Sequence, residues 1–193
     1  MARHGWEQTE RRGRGLAEEA NAAVRSGRPL APAWLDSAAG WLAEVAPVWP
    51  DLTDGVPAGR QYRLIASSPH LEAWLICWPS AGRLELHDHG GAGGALRVLG
   101  GSLTEQFVAD RSHPARRRRL EAGQGISFDA DYVHDVVNLD AEMATSVHVY
   151  SSPGRPMGYY RLSEAGMLMV PGRIDDVAGT GPGDAGLSLA SVR

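Results

Sequence analysis

Two histidines two residues apart, His87 and His89 in the run ELHDHGGAGGALRVLGG, are the side chains of this sequence best placed to do chemistry. On a β-strand residues i and i+2 share a face, so both imidazoles project together while Asp88 points away. A third imidazole, His134 in DADYVHDVVNL, lies on a later β-prone run, and antiparallel strands of a closed barrel bring such positions within reach. Three neutral imidazoles leave a divalent metal its full double charge and about three open positions of an octahedral shell, which is a setting for oxygen activation by Fe(II). Zn(II) accepts the same three ligands, so the residues alone leave the metal open. The single cysteine, Cys77, supplies neither a thiolate cluster nor an intrachain disulfide, and any metal here takes nitrogen and oxygen ligands. Ser146, His148 and Tyr150 alternate along one run and share a face. They have the spacing of a hydroxyl–imidazole–phenol hydrogen-bond chain, the competing reading being a polar stripe on the outside of a sheet.

The elements that must position these groups are short strands. After Pro57 the runs Tyr62 to Ala66, Leu71 to Trp78, Arg83 to His87, Leu96 to Leu99, Leu103 to Val108, Ile126 to Phe128, Val133 to Val137 and Thr145 to Tyr150 are β-prone and divided by Gly, Pro, Ser and Asp clusters. Such density predicts an all-β barrel or sandwich. Leu71 to Trp78 is apolar on both faces apart from Glu72, which predicts a central strand covered on each side. Gly90 to Gly94 predicts a tight turn beside the histidines. It lacks the Lys and following helix of a phosphate loop. Before the strands, the stretch from Gly15 to about Ala46 has helical spacing interrupted at Gly27 and Pro29, predicting two short helices.

With 193 residues, 43% of them hydrophobic and 22% charged, the chain has the size and composition of one packed domain. All 19 basic residues are Arg, and 23 acids outnumber them, giving a net charge of −4 and no surface expected to attract nucleic acid. Arg116 to Arg119 is the one charge run and reads as a solvated strand end or hairpin. The N-terminus has no apolar stretch of the kind a leader peptide or membrane span needs, so a cytoplasmic protein without membrane association is expected. Residues 1–56 are expected to form a helical segment packing on the barrel, 57–170 the barrel domain, and the Gly- and Ala-rich 171–193 a flexible tail.

Gly82, His87-Asp88-His89, Gly94 and Gly101 resemble the first cupin motif, and Gly125, His134 and Asn138 the second. Tyr62-Arg63-Leu64, the LICW strand, HDHGG and the alternating Ser146, His148 and Tyr150 follow the order and approximate spacing of the type I cysteine dioxygenases. The resemblance implies an all-β cupin barrel, a double-sheet jelly roll, with short N-terminal α-helices. It implies Fe(II) on His87, His89 and His134, with L-cysteine and O2 converted to cysteine sulfinate. Arg63 then clamps the substrate carboxylate with its planar fork of donors, unless it is a surface residue at a strand end, and Tyr150 is the member of its chain that reaches substrate. The protein is expected as a monomer or weak homo-oligomer. The alternatives are a dioxygenase of 3-mercaptopropionate or another small thiol, or a non-catalytic metal-containing cupin that binds a small molecule. Arg63 and Met157 match the family pattern for cysteine rather than 3-mercaptopropionate, with Arg155 two residues from Met157. At Gly94, where animal members carry the cysteine that crosslinks to the active-site tyrosine, neither a carboxylate ligand nor a crosslink can form.

Overall fold

The computed structural model describes residues 2–46, 59–151 and 156–169. Two helices, α1 (Ala2–Arg25) and α2 (Pro32–Val45), precede nine strands: β1 (Gln61–Ser68), β2 (Leu71–Trp78), β3 (Arg83–His87), β4 (Gly94–Gly100), β5 (Ser102–Val108), β6 (Arg116–Glu121), β7 (Gly125–Phe128), β8 (Val133–Val137) and β9 (Ala144–Ser151). A small ribbon, β10 (Arg161–Leu162) with β11 (Leu168–Met169), follows. The main strands form two antiparallel sheets, ordered β1-β2-β9-β4-β7 and β3-β8-β5-β6, the expected double-sheet cupin barrel.

Period two decides which side chains enter the barrel. Trp74, Ile76 and Trp78 of β2, Leu96 and Val98 of β4, Leu84 of β3, Leu103 of β5 and Val136 of β8 form the inner core. The alternate residues Ala73, Ala95, Val147 and Val149 form a second core on the back of the larger sheet, covered by Leu35, Ala38 and Ala39 of α2. This is why β2 is apolar on both faces. Leu86, Val108 and Val133 on the back of the smaller sheet pack against Tyr160, Leu162 and Leu168 of the final segment.

Helix α2 begins with Pro32 in its first turn, where the missing N–H is no loss. Helix α1 starts well before Gly15, where the helical spacing became legible. The cause is tertiary: the Trp41 indole donates to the Thr9 carbonyl at 2.8 Å and the Trp34 indole to the Leu16 carbonyl at 3.2 Å, while Arg12 pairs with Glu44. The arginine run, read as a solvated strand end or hairpin, forms a full strand, β6, paired with β5. No helix among the described residues is long and apolar enough to cross a membrane. The expected tail at 171–193, the boundary at residues 56 and 57, and Arg155 lie outside the described residues.

Candidate metal centre

His87 is the last residue of β3, and His89 follows just beyond the strand end, before a turn in which Gly90 and Gly91 have φ of +60° and +84°. That left-handed pair is a conformation glycine adopts without steric cost. Strand β8 places His134 opposite His87, since the two are register partners. All three imidazoles are buried, each with a ring nitrogen within 4.8 Å of the others. Asp88 points away as expected: its carboxylate accepts from the Gly90 and Gly158 amides at 2.9 and 2.8 Å and from the Tyr160 hydroxyl at 2.6 Å, tying the final segment across the turn.

The ring contacts fix where the lone pairs point. His87 Nδ1 donates to the Glu85 carbonyl at 2.7 Å, and His134 Nδ1 donates to the Glu105 carboxylate at 2.7 Å. A neutral imidazole carries one N–H, so both Nε2 atoms present lone pairs. His87 Nε2 is buried without a hydrogen-bond partner, and His134 Nε2 stands 3.3 Å from His89 Nε2. Burial and the neighbouring imidazoles hold the pKa values of His87 and His89 well below the ordinary range, which keeps them neutral. An orphaned lone pair facing two further ring nitrogens in a buried pocket fits a divalent cation.

Ser146, His148 and Tyr150 face inward on β9, and the stripe is internal rather than solvent-facing. Ser146 Oγ lies 2.9 Å from His148 Nε2, and His148 Nδ1 lies 2.9 Å from the Tyr150 hydroxyl. The sequence did not reveal the start of this chain. The Trp78 indole N–H donates to Ser146 Oγ at 2.8 Å, and an indole N–H cannot accept. Among the described residues His148 Nε2 is the acceptor within reach of the serine hydrogen, so that hydrogen goes to His148 Nε2. Burial brings His148 to a pKa of about 3, so the ring is neutral, carries its hydrogen on Nδ1 and donates to the Tyr150 oxygen. Tyr150 keeps its own hydrogen for the pocket, and burial raises its pKa above the usual phenol range.

Arg63 is not brought to this site. It is exposed on β1, paired with Leu75, a residue outside the inner core, whereas Tyr62 and Leu64 pair with inward Ile76 and Trp74. The inward period continues to Arg60. Its guanidinium lies 5.4 Å from the Trp78 ring centroid and donates to the Arg83 carbonyl at 3.2 Å. Burial lowers the Arg60 pKa, opposed by Glu85, Tyr159, Tyr150 and Tyr62, and its charge in turn helps depress His87 and His148. Arg60 to Arg63 also line a cavity of about 390 Å³. Arg60 shares the face of Tyr62, which packs against the inner core, and the family-like order Tyr-Arg-Leu drew the clamp to Arg63 instead.

Gly94 pairs with Tyr150 across β4 and β9. A Cβ there would stand 2.5 Å from Phe128 Cζ and 2.8 Å from Tyr150 Cδ1, so the glycine makes room for both rings. Cys77 pairs with Thr145 and is buried on β2 away from Tyr150.

The sequence profile described as cysteine dioxygenase type I matches residues 48–161, which include every group above. The chain belongs to the cysteine dioxygenase type I family. Membership makes it a metal-dependent cupin dioxygenase. No curated protein matches its sequence. Among solved structures, this family member is similar to the protein TT1209 of Thermus thermophilus at 19% identity, over 52% of this chain and 88% of that one, with a TM-score of 0.44. KdgF from Halomonas sp. matches at 19% identity, over 52% and 86% of the two chains, with a TM-score of 0.44. A Klebsiella pneumoniae protein with a double-stranded β-helix domain matches at 14% identity, over 57% and 88%, with a TM-score of 0.45.

Proposed function

We propose that this protein oxidises L-cysteine with O2 to cysteine sulfinate, using iron held by His87, His89 and His134. One arrangement carries the reading: three convergent imidazoles, a phenol with its hydrogen free, and a half-buried guanidinium share the inside of one barrel. When bound, a divalent iron supplies the redox chemistry that places both atoms of O2 on sulfur. The balance is one thiol and one O2 giving one sulfinate and one proton.

The chain's own residues bind and orient. Arg60 is the carboxylate clamp in place of Arg63, because it is the arginine of this segment on the inward period of β1. Its five N–H donors in a planar fork match two carboxylate oxygens, and partial desolvation strengthens the contact. Tyr150, polarised through Trp78, Ser146 and His148, donates a hydrogen bond to substrate or oxygen and remains a neutral phenol throughout. The cavity of about 390 Å³ beside Arg60 and Tyr62 is large enough for a small thiol, and Met157 is half-buried.

The test is oxygen uptake and sulfinate formation with L-cysteine and 3-mercaptopropionate in parallel, for the parent, Arg60→Ala and Arg63→Ala. Losing a charge-assisted bidentate contact costs about 2–4 kcal/mol of transition-state binding, so Arg60→Ala is expected to lose about 30- to 1000-fold in kcat/KM for cysteine. Arg63→Ala is expected to stay near the parent. A parent with clearly higher kcat/KM for 3-mercaptopropionate overturns the substrate assignment, and an unimpaired Arg60→Ala overturns the clamp.

A further inference from the structure

Behind His134, on the side away from the metal centre, lies a buried charge network. Strand β5 pairs Phe107 with His134 of β8 and Glu105 with Arg118 of β6, so one inward column carries ligand, carboxylate and guanidinium. Glu105 is fully buried, with an exposure of 0%. Its Oε1 accepts from His134 Nδ1 at 2.7 Å and from the Tyr132 hydroxyl at 3.0 Å, and its Oε2 accepts from Arg118 Nε at 2.5 Å. Arg118 Nη2 closes the ring by donating to the Tyr132 hydroxyl at 2.6 Å, with the guanidinium 4.2 Å from the Phe107 ring centroid. Arg116 and Arg118 lie over Phe107, whereas Arg119 binds Glu121 and Asp140. The arginine run thus contributes one half-buried member, Arg118, to this network.

The three imidazoles are held unequally. His87 donates to a neutral backbone carbonyl, His134 donates to a carboxylate, and His89 Nδ1 has no hydrogen-bond partner among the described residues. A carbonyl is enough to fix a tautomer. A buried carboxylate does more, because its charge raises the basicity of the imidazole it faces, and it is tolerated at zero exposure only with its own cation. We propose that Glu105 and Arg118 are a positioning relay that makes His134 the strongest of the three ligands, Glu105 acting on the imidazole and Arg118 acting only through Glu105. This rests on the reading that the three imidazoles hold a metal.

The experiment titrates metal-free protein with Co(II) without oxygen or thiol, following the d–d absorption for affinity and band position. The parent is compared with Glu105→Gln, Arg118→Met, Arg118→Lys and the double variant Glu105→Gln/Arg118→Met, with circular dichroism checking the fold. Glu105→Gln is expected to bind Co(II) about 10- to 100-fold more weakly, with a shifted band, as loss of a carboxylate behind a ligating histidine does elsewhere. Arg118→Met is expected to weaken binding several-fold in the parent and to add no loss in the Glu105→Gln background. Equal affinity and spectrum for Glu105→Gln and parent, or the same loss from Arg118→Met in both backgrounds, would overturn the relay. If Glu105→Gln does not fold, Arg118 carries the test alone: Met weakens binding while Lys stays closer to the parent, and parent-like binding by Arg118→Met overturns the proposal. A parent that binds no Co(II) removes the metal centre itself, an outcome distinct from failure of the relay.

Discussion

At the residue scale, the Trp78–Ser146–His148–Tyr150 chain runs in one direction, set by an indole that can only donate and by His148 Nε2 as the acceptor for the serine hydrogen among the described residues. His148 ionises only near 3, and Tyr150 ionises above the ordinary phenol range, so neither changes charge between about pH 5 and 9. The ratio of kcat for the parent to kcat for Tyr150→Phe is therefore expected to be flat across that window. A sigmoidal ratio with a midpoint near 6.5 would mean that His148 titrates there and that the chain is wrongly directed. These three residues and the three clustered histidines were legible because same-face spacing on a strand needs no knowledge of partners. Trp78, Glu105 and Arg60 were not. Each joins the site across strand pairings that join distant parts of the sequence, and Arg60 stands before β1 where no period had been established.

At the element scale, α2 and the strands it covers hold β9 in register. Leu35 is fully buried between α2 and the back of the larger sheet. Leu35→Ala is expected to cost about 2–5 kcal/mol of stability, measured by denaturant unfolding, and a cost below about 1 kcal/mol would show that the helix is not part of the cooperative unit. Across the sheet, an alanine at Gly94 would have to push either Phe128 or Tyr150 aside. Gly94→Ala is expected to lower kcat with cysteine more than it raises KM, since Tyr150 moves while Arg60 does not. With glycine at 94 and Cys77 on a different face, Tyr150 carries no thioether. The intact mass of the purified protein is expected to equal the sequence mass, and a deficit of about two hydrogens mapped to Tyr150 would contradict this. All eight expected strands lie within observed ones because alternation and turn residues bracket them, whereas β6 was obscured by four consecutive arginines. Its alternation only becomes visible against β5.

At the scale of the whole molecule, the barrel concentrates buried neutral imidazoles, and this sets its response to acid. His87, His89 and His148 are held neutral when folded but ionise near 6.5 when unfolded. Below that value the unfolded chain binds more protons, so stability falls as pH drops, by roughly 1.4 kcal/mol per pH unit for each such histidine. For His148 the loss runs from about 6.5 down to about 3, where the folded ring also protonates. Chelated protein is expected to lose melting temperature steeply from pH 6.5 to 4.5, and metal-loaded protein to follow a parallel course displaced to higher temperature, because bound metal stabilises the folded state alone and its ligands are already neutral there. The same melting temperature for the two forms across this range would mean that the imidazoles hold no metal.

Transfer of both atoms of O2 to the sulfur of cysteine is tested by the mass of the product formed by iron-loaded protein from L-cysteine under isotopically heavy O2 in ordinary water. Sulfinate with both oxygens labelled is expected, one equivalent per O2 consumed. Cystine alone, a sulfinate with one labelled oxygen, or no oxygen uptake by fully iron-loaded protein would contradict it.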